Sequence, residues 1–301
     1  MNIQHTPARA TALMRVVSAL ALATSLGLPG LALAQVPFAT AEQAGDAMIQ
    51  AVTANDSAAL TRLLGKDWRA LMPPAGLSKE DREVFAEKAR QAHAIRVSDG
   101  RTELVIGTDP WALPIPIVQG KDGQWRFDPR GGRQAVLERQ IGANELSAMQ
   151  AALAYLDAQR EYAQVDRNGD GLLEYAQKMI SSPGKRDGLI WSADLGDDSP
   201  LGEAFLPARA GRGYHGYHFK VLTGQGPKAK GGERSYLIGK RMVSGYALLA
   251  WPVKYGTSGV MSFMVNQEGQ LFQRDLGPQT QTAASSIKRF NPDDAWTPTK
   301  P

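Results

Sequence analysis

Between residues 40 and 91 the apolar positions recur every three or four residues, and between 94 and 128 they recur every second one. The first part of the chain therefore predicts helices followed by a hairpin sheet. Thr40 with Gln43 forms a capping box that opens a helix to about residue 54, with Ala44, Ala47, Met48, Ala51 and Val52 on its apolar side. A second helix at 58–64 stops at Gly65. Beyond the Pro73-Pro74 loop, Ser78 with Asp81 caps a third at 79–91, anchored by Val84 and Phe85. Strands are expected at 94–97 and 101–106 around an Asp99-Gly100 turn, then at Ile115, Ile117 and Val118, then at 124–128 with Trp125 and Phe127 on one face.

After Pro129-Arg130-Gly131-Gly132 the spacing returns to the helical one. A helix at 133–140 is expected to end at Gly142, and a second to start from an Asn144 N-cap, so the domain boundary is placed there, giving units at 35–142 and 143–301. Leu146, Met149, Leu153 and Leu156 define its apolar side, while Gln150, Asp157, Arg160 and Glu161 keep the other side wet. Gly169 and Gly171 end it. A short helix is expected at 174–180. A Pro/Gly/Asp-rich excursion at 181–212, with Trp191 and Phe205, is expected to wrap the surface. Strands follow at 214–222, 245–251, 260–265 and 271–275, with Asn266-Gln267-Glu268-Gly269 as the last hairpin loop. The stretch 223–233 reads as mobile, and Phe290 and Trp296 as docking back. The class is α+β.

Composition adds an address. Arg9 and Arg15, with no acidic residue, precede an apolar run at 16–28, then Pro29-Gly30 and the small-residue site Ala32-Leu33-Ala34. That is the pattern of a secretory signal peptide over residues 1–34, cleaved before Gln35. No later stretch is expected to span a bilayer, so the chain is expected to be periplasmic or secreted. Removing the two arginines takes the net charge from +4 to +2. The remaining charges are interspersed, which argues against nucleic acid as a partner. The chain has 0 cysteines, so apolar burial has to hold it together.

The chemistry is sparse. Asp166, Asn168 and Asp170 occupy positions one, three and five of a calcium-loop pattern, with Gly171 at six, the Leu172 carbonyl at seven and Glu174 at nine. Such spacing turns alternate side chains toward one hard cation. Position twelve is Gln177 instead of a bidentate Glu. The turn is open to two readings, a calcium site or an Asx-rich turn that bonds its own backbone. His215 and His218 are three apart on an expected strand and so face opposite sides, one packed and one exposed. His93 closes a helix end. Trp111 and Trp125 read as core or lining. The sequence has no G-x-S-x-G elbow, no H-E-x-x-H and no phosphate-cradling glycine loop.

Helices followed by a hairpin sheet ending in Gly123-x-Trp125-x-Phe127 resemble the cone-shaped fold of the nuclear transport factor 2 superfamily over about residues 38–128. Asn144-Glu145, Ala148, Ala152, Tyr162-Ala163, the acidic turn, Ala250-Trp251-Pro252, Gly259 and the 266–269 loop resemble the globular half of type IV pilins and pseudopilins. That likeness implies a long helix lying on an antiparallel sheet. It does not imply a pilus shaft, because a whole domain precedes the helix in place of an apolar spine. Closer still, residues 38–296 resemble a family of exported bacterial proteins catalogued as domain of unknown function 2950. The resemblance rests on Trp111-x-x-Pro114-x-Pro116, Gly123-x-Trp125-x-Phe127-Asp128, Ile141-Gly142-x-Asn144-Glu145 and Asp166-x-Asn168-Gly169-Asp170-Gly171. Further on it rests on Ser181-Ser182-Pro183-Gly184-Lys185-x-Asp187-Gly188-Leu189, Tyr214-His215-Gly216-Tyr217 and Val265-Asn266-Gln267-x-Gly269. The family implies no activity.

The first expectation for function is a non-catalytic binding or assembly module with other envelope proteins as partners. The alternatives are a small-ligand-binding or enzymatic cone-like domain and a structural envelope factor stabilised by calcium.

Overall fold

A computed structural model describes residues 35–72, 76–202 and 213–301. The expected leader at 1–34, the Pro73-Pro74 pair and Phe205 lie outside the described residues.

The architecture is α+β. It begins with α1 (Ala41–Thr53), α2 (Ser57–Leu64), a 3-10 turn at Trp68–Leu71 and α3 (Lys79–Gln91). Thr40 accepts the Gln43 N–H, Asp56 caps the second helix, and Ser78 with Asp81 closes a reciprocal box on the third. On α3 the buried residue is Ala89, Phe85 packs at the core edge, and the expected anchor Val84 is 57% exposed. A small side chain at the contact brings α3 in close, and Val84 lies five residues away, about 140° around the helix.

The first sheet contains β1 (His93–Ser98), β2 (Arg101–Ile106), β3 (Trp111–Ala112), β4 (Ile117–Gln119) and β5 (Trp125–Phe127). Its order is β1-β2-β4-β5, with β3 beside β2. Asp99 (φ 50°) and Gly100 (φ 72°) both take the left-handed conformation that a two-residue hairpin turn requires. Leu104, Ile106, Ile117 and Phe127 join Met48, Leu60 and Leu63 in one core.

From here α4 (Pro129–Tyr162) runs for 34 residues without interruption. The break expected at Gly142 is absent, and Asn144 is not an N-cap but a buried residue inside the helix. Asp128 is the cap, with Pro129 in the first turn. A helical glycine costs only ~1 kcal/mol against alanine, which packing at both ends overrides. The buried face also differs from the expected leucine stripe. It consists of Ala148, Ala151, Ala152, Tyr155, Leu156, Gln159 and Tyr162, while Leu146 is 41% exposed and Met149 and Leu153 are only partly buried. Alanines let the helix lie close on a sheet whose strands supply the bulk.

After α4 come β6 (Tyr217–Leu222), the ribbons β7 (Gly224–Gln225) with β8 (Arg234–Ser235) and β9 (Leu237–Ile238) with β10 (Arg241–Met242), then β11 (Ala247–Pro252), β12 (Met261–Asn266), β13 (Leu271–Asp275), α5 (Thr280–Ser286) and β14 (Thr297–Thr299). The second sheet has the antiparallel order β14-β13-β12-β11-β6. Phe290 and Trp296 do dock into its core.

Three expectations for the segments after α4 are corrected. Residues 174–180 are not helical, because the Gln159 side chain takes both the N–H and the C=O of Ala176, and Tyr175 bridges to Met242. The excursion from 181 does not merely cover the surface, since Leu189, Ile190, Trp191 and Leu201 are buried in the main core. In the 223–233 stretch Gln225 is buried and donates to the Lys230 and Gly232 carbonyls, which fixes that loop from inside.

Candidate functional site

The acidic turn follows α4 directly, and its carboxylates serve its own backbone. Asp166 Oδ1 accepts the N–H of Gly169 (2.8 Å), Asn168 (3.2 Å) and Asp170 (3.3 Å), and Oδ2 accepts that of Gly171 (2.7 Å). Hydrogen bonding from Gly171 foremost, then from its neighbours, lowers the Asp166 carboxyl below its ordinary value. Asn168 accepts from the Asp170 N–H and donates to Glu174 Oε1 at 2.9 Å. Asp170 Oδ1 accepts the Leu172 N–H, and Oδ2 takes both Nε (3.0 Å) and Nη2 (2.5 Å) of Arg241. Glu174 is raised, first by burial and then by the charges of Asp170 and Asp166. So Asp166, Asn168, Asp170 and Glu174 do come together, around their own N–H groups and one arginine. Gln177, at position twelve, points its amide at the Lys240 carbonyl (2.7 Å). Among the described residues no group of three or more His, Cys, Asp or Glu is arranged to hold a metal ion. To take calcium the turn would have to release backbone bonds or Arg241.

Three links fasten this turn to the β9–β10 ribbon: Asp170 to Arg241, the Tyr175 N–H to the Met242 carbonyl, and Gln177 to Lys240. Large apolar side chains on these two segments are exposed. Val165, Leu172 and Leu173 are 48%, 50% and 56% exposed, and Ile238, the register partner of Arg241, is 67% exposed. The sequence reading takes Leu172 only as a carbonyl ligand and does not anticipate these exposed side chains. The signal available to it was two adjacent leucines inside a Gly/Asp turn.

A second cluster ties α4 to the sheet. Glu145 Oε1 accepts the N–H groups of Val260 (2.9 Å) and Met261 (3.0 Å), Asn144 Nδ2 donates to the Ser258 carbonyl (2.9 Å), and Tyr217 donates to the Met261 carbonyl (2.8 Å). A Cβ at Gly259 would collide with the Tyr217 ring, so only glycine fits there. Burial and then the charge of Glu145 push the Tyr217 hydroxyl well above its ordinary range. Asn144-Glu145, Gly216-Tyr217 and Gly259 are thus one fastening.

A third cluster lies beside a cleft of about 370 Å³ lined in part by Ser181, Ser182, Lys185 and Trp191. Lys178 Nζ sits 2.7 Å from Ser182 Oγ and 2.6 Å from Asp187 Oδ2, and Asp187 also accepts the Ser182 N–H (2.7 Å) and hydroxyl (3.0 Å). Burial alone would raise Asp187, but these bonds from Lys178 and Ser182 outweigh it and bring its carboxyl down to about 2. Serine beside lysine is the make-up of a nucleophile pair, and that chemistry needs an uncharged amine. The Asp187 ion pair works against it and instead closes the loop. Next to it, Arg167 and Arg186 stack on the Trp191 ring and share Asp197.

The histidines are separate. His215 is exposed in a turn at φ 46°, edge-on to Tyr214; His218 is half-buried against Trp251, and burial lowers it. His93 contacts the Ala89 carbonyl at the end of α3. Trp111 is 42% exposed, with the Arg139 guanidinium over its ring, and Trp125 is half-buried in the first core.

A family model described as "Protein of unknown function (DUF2950)" matches residues 35–299. No curated protein and no solved structure matches the chain.

Proposed function

The chain belongs to the DUF2950 family, and from that premise we propose that it is an exported, non-catalytic binding or assembly module of the cell envelope. The observation that carries the reading is the exposure of Val165, Leu172 and Leu173 on the acidic turn and of Ile238 on the ribbon that the Asp170–Arg241 pair ties to it. Exposed apolar side chains gathered inside a polar rim mark a protein-docking surface. The family motifs support it from the other side, because Asn144 and Glu145 bond Ser258, Val260 and Met261 on either side of Gly259, Tyr217 bonds Met261, and Ser182 bonds Asp187, so their polar groups serve the fold. The placement of α4 against a five-stranded antiparallel sheet with an Asn266–Gly269 hairpin loop agrees with a pilin-like second half. The test is fractionation of cells followed by affinity capture from the envelope fraction with the intact chain and with Leu173→Asp. Export and a partner lost in the variant are expected. A cytosolic chain, or one partner set for both proteins, contradicts the proposal.

A second reading is favoured by the raised Glu174 carboxyl, since neighbouring Asp170 and Asp166 contribute to it. A calcium ion held by Asp166, Asn168, Asp170, the Leu172 carbonyl and Glu174 would neutralise that crowding in exchange for Arg241. The ion would then stabilise the docking turn and take no part in chemistry. Calcium-dependent melting, described below, tests it.

A further inference from the structure

The first described residues are built into the first core. Gln35 Nε2 donates to the Leu63 carbonyl (2.9 Å) and to the Phe127 carbonyl (3.2 Å). Next to it the Val36 N–H donates to the Arg62 carbonyl (3.1 Å), and Phe38 exchanges both backbone bonds with Trp125 (2.9 and 2.8 Å). The side-chain amide of Gln35 is thereby held between the end of α2 and the end of β5. Cleavage after Ala34, on which this inference rests as part of the export reading, makes Gln35 the amino terminus.

A terminal glutamine is chemically unstable. Its free α-amine attacks its own side-chain carbonyl carbon, an N–Cδ bond forms, the Cδ–Nε2 bond breaks, and ammonia leaves with the proton given up by the amine. The product is a five-membered lactam, neutral at the terminus and lacking Nε2. No oxidant or co-reactant is needed. In the folded chain that reaction would remove the donor that satisfies Leu63 and Phe127. It also needs the side chain to fold back on its own nitrogen, away from both carbonyls.

We propose that Gln35 is a latent cyclisation site which the folded protein keeps in the open, positively charged form, so that lactam formation reports release of the terminal clasp. Breaking two such hydrogen bonds to reach the reactive geometry corresponds to a roughly ten- to hundredfold slower reaction in the folded than in the unfolded chain.

The experiment expresses the full chain with its leader, isolates the exported product and follows its intact mass and N-terminal sequence during incubation, folded and in urea. Phe38→Ala, which loosens residues 35–38 at the rim of the core, is carried in parallel with its melting temperature. The expected result is an open Gln35 in the native product, loss of one ammonia at least tenfold faster in urea, and an intermediate rate in folded Phe38→Ala. Equal rates in the folded and unfolded chain, or a fully cyclised native product, overturn the inference while leaving cleavage after Ala34 intact. A terminus at another residue overturns the cleavage reading, and this inference with it.

Discussion

Arg241 grips the Oδ2 of Asp170 with two nitrogens, at 3.0 and 2.5 Å, across 71 residues of sequence. The pair puts a fixed cation where the spacing of the acidic turn suggests a mobile one. It also ties the turn that carries Leu172 and Leu173 to the ribbon that carries Ile238.

Removing that cation weakens the turn only modestly. Both side chains are partly exposed, at 40% and 29%, so Arg241→Met is expected to cost about 1 kcal/mol or less. For a chain of this size that is a drop in Tm of roughly 2 to 4 °C. Thermal melts at low and high salt check it, and the difference should shrink as salt rises.

Calcium and Arg241 compete for Asp170. At a hundred times a Kd of ~10⁻⁴ to 10⁻³ M, a bound ion adds about 2.7 kcal/mol, or several degrees in Tm. The expected outcome is a rise on adding calcium after chelation, larger in Arg241→Met, absent in Asp166→Ala and absent with magnesium at equal ionic strength. An unchanged melt in both wild type and Arg241→Met removes the calcium reading.

Acid should loosen the Ser182 loop. The folded-state carboxyl of Asp187 is lowered to about 2, so its stabilising contribution is complete above the unfolded value of ~3.9 and is lost as pH falls through the folded one. Between pH ~4 and ~2 wild type should therefore lose stability faster than Asp187→Asn, which starts lower and has that slope removed. Parallel slopes would show that Lys178 and Ser182 do not hold this carboxylate.

The Glu145 fastening should be worth more than any surface pair. Glu145→Ala leaves the Val260 and Met261 N–H groups without their charged acceptor, at a cost of about 2 kcal/mol or more. A loss of roughly 4 to 8 °C in Tm is expected, with Glu145→Gln falling less because one acceptor oxygen remains. Hydrogen exchange at residues 258–261 checks that the loss is local.

Much of this architecture is legible in the chain because it depends on contacts a few residues apart. Ser78 with Asp81, Asp99-Gly100 and the 266–269 loop bond within themselves, so spacing alone places them. What spacing does not reveal is set by distant partners. Asn144 looks like a helix start until Ser258, 114 residues away, takes its amide. Residues 174–180 carry helical spacing but are pulled extended by Gln159 and Met242. The leucine stripe on α4 is outweighed by alanines, because close approach to the sheet matters more there than side-chain size. The acidic turn was readable as a cluster, and its arginine was not.

The expected division into two units would cut α4 between a core built from residues up to 127 and cores built from 148 onward. A fragment of residues 144–301 is expected to fold and melt cooperatively. A soluble but unfolded fragment, beside a single transition in the intact chain, would mean that the two halves share one core.

Docking through the exposed side chains of the acidic turn and the β9–β10 ribbon is tested most directly by photo-crosslinking in living cells. A photoreactive residue is placed at Leu173, at Ile238, or as a control at Val97, which is 71% exposed on β1 of the first sheet. The same discrete adduct is expected from Leu173 and Ile238 and none from Val97. Adducts that are identical at all three positions, or absent at Leu173 and Ile238, contradict it.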